Sequence, residues 1–264
     1  MADIMVSPTA GVAARRMDGA SVEAVAETLA TETAVAMHFN GLPHAVMMAT
    51  PADLADFGLG FALTEGIIRR ADELTLVEQT WTPHGVALHM RIPEMRFALL
   101  ETRERNLTGR TGCGLCGTST LEAAIRPVRR VAMGSPAIDA AALRAGMERL
   151  ATLQPFNDVS GAVHAAALLT TDGGFTVRED VGRHNAIDKA VGAVMRAGGV
   201  PHTLLVTSRA SYEVVHKAAE VGCSLVAAIS APTTLALQLA IEAGMTLVGW
   251  ARPPRFTVYC GELA

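Results

Sequence analysis

Short runs rich in apolar and β-branched residues open the chain's first third. "TAVAMHF" and "HAVMMAT" flank "NGLP", where Asn40-Gly41 predicts a tight hairpin. The spacing then lengthens in "PADLADFGLGFALTEG", which predicts a helix with Thr50 as N-cap and Pro51 at its first position. "LTLVEQTW" and "VALHMRI" predict two more strands around "TPHG". "PEMRFALLETR" predicts a short helix leading into a glycine-rich, cysteine-bearing stretch. These elements make a small α+β unit over residues 25–108.

The rest of the chain has another rhythm. "DAAALRAGMERLATL" predicts a helix capped by Asp139. "HAAALLTT", the "DGG" turn and "FTVRED" predict a hairpin, and "NAIDKAVGAVMRAGG" a helix ended by glycines. "TLLVTS", "SYEVVHKAAEVG", "SLVAAIS", "PTTLALQLAIEAG" and "MTLVGWA" then alternate strand, helix, strand, helix, strand. That order predicts an α/β unit over residues 119–264, with a largely parallel sheet between helices. Residues 109–118 between the units are expected to form a flexible loop at the domain seam, a frequent place for a site.

Composition narrows the classes. With 264 residues, half of them hydrophobic and 18% charged, the chain can bury a substantial core. A net charge of −4 argues against a whole-surface nucleic-acid binder and leaves room for a local basic pocket. Four cysteines, only two of them close together, do not resemble a secreted disulfide framework. The first residues lack a charged-then-apolar leader, and no run of 18 apolar residues occurs. The expectation is a cytoplasmic protein that engages neither membrane nor nucleic acid, with residues 1–24 frayed.

"TGRTGCGLCGTST" places Cys113 and Cys116 among glycines, threonines and Arg110. Three chemistries fit. A closed zinc site would need further ligands, and Cys223 and Cys260 are isolated. A redox pair would use the helix start expected near Thr118 or Ser119 to lower a thiol pKa. A sulfur carrier would use the flanking glycines for mobility, with Arg110 favouring the thiolate. Two unreactive thiols are the bland alternative, and the polar glycine-rich surroundings speak against it. Cys223 is expected to be buried and Cys260 peripheral. His38, His44, His84 and His89 read as surface or packing residues.

Polar residues gather at three further strand ends. "VREDVGRHNAIDK" brings Arg183 and His184 to a strand–helix junction where ligands commonly sit. Asn185 could instead be an ordinary helix cap there. Ser208, Arg209 and Ser211 follow "TLLV", and Ser230, Pro232 and Thr233 follow "SLVAA". N-capping explains each turn singly, while their repetition on one sheet edge favours a nucleotide-like ligand. "GWARPPRF" adds the aromatic face of Trp250 and the guanidinium forks of Arg252 and Arg255 on a proline-stiffened turn. A surface turn with two solvated arginines is the plain alternative.

"TGRTGCGLCG", "EDVGRHNAIDKAVG", "TSRASYEVVHKAAEVG", "SAPTTLALQLAIEAGMTLVGWARPPRFTVY" and "GFALTEGII" together resemble the FdhD-type formate dehydrogenase accessory sulfurtransferases, from about residue 30 to the end. The resemblance implies a cytidine-deaminase-like α/β/α C-terminal domain with a mixed sheet, beside the smaller α+β unit, and a homodimer. It implies sulfur taken as a persulfide from a cysteine desulfurase and passed to a molybdenum (or tungsten) bis-guanine-dinucleotide cofactor that serves formate dehydrogenase. Cys113 matches the persulfide cysteine and Cys116 its companion. The cofactor stretch maps onto Trp250, Ala251, Arg252, Pro253, Pro254 and Arg255, where "WARPPR" departs from the family's form at its first residue and at the prolines. GDP or GMP would then bind as a fragment of the cofactor. A cofactor chaperone without sulfur chemistry and a thiol–disulfide oxidoreductase are the competing classes.

Overall fold

The computed structural model describes residues 6–105, 126–131 and 138–264. Cys113, Cys116 and the helix start expected near Thr118 lie outside the described residues. The N-terminal half holds a sheet in the order β4-β3-β6-β5, built from β3 (Thr33–Phe39), β4 (Leu42–Ala49), β5 (Thr75–Thr82) and β6 (Gly85–Arg91). Asn40 and Gly41 turn β3 into β4 with φ of 49° and 87°, the left-handed pair that a two-residue hairpin needs. One face of this sheet buries Val35, Met37, Phe39, Leu88 and Met90 against Phe57 and Phe61 of α1 (Leu54–Thr64). Helix α2 (Glu94–Arg105) ends this half.

The second sheet has six strands in the order β12-β11-β10-β9-β7-β8. They are β7 (His164–Thr170), β8 (Phe175–Asp180), β9 (Pro201–Val206), β10 (Leu225–Ala228), β11 (Thr246–Arg252) and β12 (Arg255–Cys260). Helix α3 (Ala140–Ala151) covers one face through Leu143, Met147 and Leu150, and the short α4 (Pro155–Ser160) follows it. The Asp139 carboxylate accepts from the Ala142 amide at 2.6 Å, the expected N-cap. The other face carries α5 (Arg183–Arg196), α6 (Tyr212–Glu220) and α7 (Thr234–Ala243). The sheet is α/β but mixed: β9, β10 and β11 run parallel, while β7 is antiparallel to β9 and β12 to β11. The largely parallel expectation is corrected because a hairpin closes each end.

The core does not divide near residue 108. Helix α1 lies against α5, and one apolar cluster runs from Val35 to Leu247 through both sheets. Buried ions cross the junction. Lys217 Nζ sits 2.9 Å from Asp188 Oδ1 and 3.0 Å from Glu65 Oε1, and Lys189 Nζ sits 2.6 Å from Asp180 Oδ2. Burial is costly for each charge, so every partner is needed.

Three further expectations are corrected. Residues expected to fray form an antiparallel ribbon, β1 (Thr9–Asp18) with β2 (Ser21–Ala30). Gly19 at φ 57° turns it, and Arg16 pairs with Glu27 at 2.7 Å. Its apolar residues point both ways, with Met17 and Val22 exposed, so no one-sided pattern announces it. Thr50 does not cap α1, which starts three residues past Pro51 behind Asp53. Instead the Thr50 amide donates to Asp180 Oδ2 and its hydroxyl accepts from the Val181 amide. Asn185 is no cap either. Gly182 precedes α5, and the buried Asn185 amide donates to the Met48 carbonyl and to Asp180 Oδ1.

Candidate functional site

The pairing register lines up five strand ends on one edge. His164 opposes Asp180, Ala166 opposes Val206, Val206 opposes Ala228, and Ala227 opposes Val248. Every polar strand end singled out in the sequence therefore falls on this edge. The turn after β9 is tied to the turn after β10 by the Ala210–Pro232 bridge. The turn after β10 is tied to β11 by the Trp250 amide, which donates to the Ser230 carbonyl at 3.1 Å.

Trp250 is exposed and has a φ of 50°, a left-handed backbone that costs an aromatic residue on the order of 1–3 kcal/mol. The neighbouring sites explain why it is held there. A Cβ on Gly249 would lie 2.8 Å from Pro232 Cδ, and Ala251 is buried against the α3 face of the core. The chain must press inward on both sides, which turns the indole outward. The Arg252 guanidinium lies 5.6 Å from the indole centroid, and its Nε donates to the Ile229 carbonyl at 3.0 Å. Arg255 is exposed across the Pro253-Pro254 turn, whose peptide bond is cis. An aromatic plane with two guanidinium groups suits a purine carrying phosphates. Ala251 can offer only its backbone.

At the other end of the edge, Arg183 and His184 open α5 beside Glu213 of α6. His184 Nε2 lies 3.0 Å from Glu213 Oε2, and an Arg183 nitrogen lies 3.9 Å from the same oxygen. The His184 contact is close but poorly aligned. Arg183 Nε, His184 Nε2 and the Ser211 hydroxyl are buried polar atoms without a well-formed hydrogen bond. Burial pushes the Glu213 carboxyl up, but His184, Arg183 and Lys217 more than offset this and hold it below its ordinary value. Burial, then Arg183 and His184, lower His164. The end of the edge thus gathers an arginine, a histidine and a helix start around the Glu213 carboxylate.

The remaining assignments divide. Ser208 is buried and its hydroxyl donates to the Arg209 carbonyl, while Arg209 is exposed. Ser230 is half-buried and contributes its carbonyl to Trp250. Cys223 is fully buried, and burial pushes its thiol up to about 12. Cys260 is half-buried on the edge strand β12. His44 packs edge-on between Phe39 and Phe61, and His38 lies beside His89 with ring centroids 4.9 Å apart and planes tilted by 51°. Sequence reasoning missed Glu213, Tyr212 and His164. The positions of Glu213 and Tyr212 in the first turn of a helix behind Ser211 were the available signal. Among the described residues no cluster of His, Cys, Asp and Glu could hold a metal ion, and no helix is long and apolar enough to cross a membrane.

Fold and edge together define a three-layer α/β protein whose strand ends offer one aromatic–arginine corner and one corner where Arg183 and His184 meet Glu213. Residues 30–263 match the FdhD/NarQ family model, and the chain belongs to that family. It is 47% identical over 234 residues to a protein of Variovorax paradoxus (strain S110) named Sulfur carrier protein FdhD, covering 88% of this chain and 84% of that one. A protein of the same name from Xanthomonas euvesicatoria pv. vesicatoria (strain 85-10) is 48% identical over 248 residues, covering 93% and 88%. A solved structure from Desulfotalea psychrophila, described as a formate dehydrogenase accessory protein, superposes with a TM-score of 0.72 at 23% identity. It covers 96% of this chain and 97% of that chain, which speaks to the fold alone.

Proposed function

We propose that this chain is a cytoplasmic sulfur carrier in formate dehydrogenase maturation. It takes sulfur from a cysteine desulfurase and passes it to the molybdenum (or tungsten) bis-guanine-dinucleotide cofactor of the dehydrogenase. Family membership supports the class of reaction. The observation that supports the reading on this chain's residues is the place of Arg126, downstream of the cysteines. The Arg126 amide donates to Tyr212 Oη at 2.8 Å, at the start of α6 on the ligand edge. Cys116 is ten residues before Arg126, and ten extended residues span at most about 35 Å. A span of that length lets the thiols reach the edge that offers Trp250, Arg252, Arg183 and His184.

The Cys113 thiolate attacks the outer sulfur of the donor persulfide. The new bond gives Cys113-S-SH, and the donor leaves as a thiolate. On delivery the Cys116 thiolate attacks the inner Cys113 sulfur, forming a disulfide and releasing hydrosulfide onto the metal. A dithiol reductant then restores both thiols. The cofactor is cargo. Its guanine stacks on Trp250, and its phosphates meet Arg252, Arg255 and the Arg183–His184 corner, with Arg209 and Ser230 lining the edge between and Ser208 turned inward behind them. GDP or GMP would occupy the same place. The hairpin β7–β8 followed by two βα crossovers supports a cytidine-deaminase-like reading of residues 119–264. The working form we propose is a homodimer.

The test uses Cys113→Ala. Retained GDP binding with lost activation of formate dehydrogenase supports the carrier. Retained binding with retained activation would leave a cofactor chaperone. Catalysed turnover of a generic disulfide without bound sulfur would leave an oxidoreductase.

A further inference from the structure

Strands β11 and β12 slip out of register twice, and the two slips cancel. Leu247 opposes Cys260 and Val248 opposes Val258, which leaves Tyr259 as one extra residue in β12. Gly249 opposes Thr257 and Arg252 opposes Arg255, which sets Trp250 and Ala251 against the single Phe256. A bulge bends its strand and re-aims the side chains it carries. Here each bulge carries an aromatic residue that stays exposed, and Gly249 lies between the two.

Gly249 links the two bulges. A Cβ there would lie 3.0 Å from Tyr259 Cε2 and 2.8 Å from Pro232 Cδ, both tighter than carbon atoms ordinarily approach. The phenol ring therefore lies directly against the glycine backbone, as an aromatic residue on a neighbouring strand covers a glycine with no side chain to pack. Pro232 is itself fixed: it bridges to Ala210, and the Thr233 amide donates to the Ala210 carbonyl at 3.0 Å. Gly249 is thus held between the Tyr259 ring and a turn tied down by main-chain bonds. The residue after it is Trp250, with its left-handed backbone, and the residue after that is the buried Ala251.

We propose that Tyr259 is a positioning residue for the base platform: its ring presses Gly249 into place and so holds the Trp250 indole outward. This rests on the cofactor reading above, in which guanine stacks on that indole. Tyr259 acts through Trp250 and does not touch the base. Without the ring, Gly249 regains its conformational freedom, and residue 250 relaxes toward an ordinary negative φ that turns the indole away. A ligand that binds only the outward form then loses affinity in proportion to the fraction left in that form. The strain of a left-handed aromatic residue lowers that fraction about fivefold or more.

The experiment titrates GDP calorimetrically into the full-length wild type, Tyr259→Thr, Tyr259→Phe, Trp250→Ala and the double variant Tyr259→Thr/Trp250→Ala. Threonine removes the ring and keeps a good strand former. Tyr259→Thr should bind GDP about fivefold or more weakly, and Tyr259→Phe should bind as wild type. The double variant should bind no more weakly than Trp250→Ala, because both changes act through one indole. In a Trp81→Phe background Trp250 is the only tryptophan, and Tyr259→Thr should lower its emission anisotropy. Wild-type affinity of Tyr259→Thr beside a weakened Trp250→Ala would overturn this inference alone. So would losses that add in the double variant, which mark direct contact of Tyr259 with the nucleotide or a folding defect, and so would an unchanged anisotropy. Wild-type affinity of Trp250→Ala, or no binding of GDP by the wild type, would overturn the base platform and this inference with it.

Discussion

A Cβ on Gly60 would lie 1.6 Å from the carbonyl oxygen of Asp188, so α1 and α5 meet backbone to backbone. Gly192 answers from the other side, where a Cβ would lie 1.9 Å from the Asp56 carbonyl oxygen. This contact welds the N-terminal sheet to the half that carries the ligand edge. It also brings Glu65 and Thr64 to Lys217 and Asp188.

Gly60→Ala should therefore be severe. The obstacle is backbone, which cannot rotate aside, so the cost should reach about 3 kcal/mol or more. Urea unfolding of Gly60→Ala beside Gly58→Ala measures it. The Gly58 site meets the flexible Met90 Sδ at 2.8 Å and should lose less. Equal stability of Gly60→Ala and wild type would mean the helices do not cross this closely.

Lys217→Met should destabilise the fold by about 3–5 kcal/mol, because Asp188 would remain buried without its cation. Burial already pushes the Asp188 carboxyl up against the pull of Lys217. Chemical denaturation at neutral pH is the measurement. A loss below about 1 kcal/mol would place Lys217 outside the buried network.

Glu65 sets an acid limit. Burial alone would push its carboxyl up, but Lys217 and Arg126 more than offset that and hold it well below the usual carboxylate range. A folded pKa below the unfolded one contributes stability above the unfolded pKa, and that contribution is lost as pH falls toward the folded value. Wild-type stability should fall as pH drops below about 4.5, the ordinary glutamate range. Glu65→Gln should be less stable at neutral pH and show a flatter acid limb. Parallel pH profiles would contradict the pairing.

Sequence and structure agree where the signal is local. Asn40-Gly41, the Asp139 cap and the βα alternation after Pro201 are each written within a few residues, and each is found. The misses are relations between distant residues or patterns without contrast. Thr50 looks like a cap until Asp180, 130 positions away, claims its amide. The β1–β2 ribbon has no apolar face to read. Glu65 and Lys217 stand 152 positions apart, and nothing in either neighbourhood marks a buried pair. The edge residues were legible as types, because strand ends collect ligand-binding polar groups. Which of them face outward was not: Ala251 and Ser208 turn in, and Trp250 turns out only because Gly249 and Ala251 are pressed inward.

Trp250 should carry the base-binding surface. Trp250→Ala should weaken GDP binding about tenfold, in line with about 1–3 kcal/mol for a base stacked on an aromatic ring. Calorimetric titration of wild type and variant with GDP checks this. Unchanged affinity would move the guanine elsewhere on the edge.

Cys223 should be chemically silent. With its thiol pushed up to about 12 by burial, it should stay unmodified when the native protein meets iodoacetamide at pH 8. Peptide mapping reads the labelled positions, and rapid labelling at Cys223 would show that its site opens.

The central claim is that Cys113 carries sulfur. The direct measurement is the intact mass after incubation with a cysteine desulfurase and cysteine, for wild type, Cys113→Ala and Cys116→Ala. The carrier account requires wild type to gain about one sulfur atom, lost on reduction, and Cys113→Ala to gain none. A wild-type mass that does not change, in protein that still binds GDP, would contradict it.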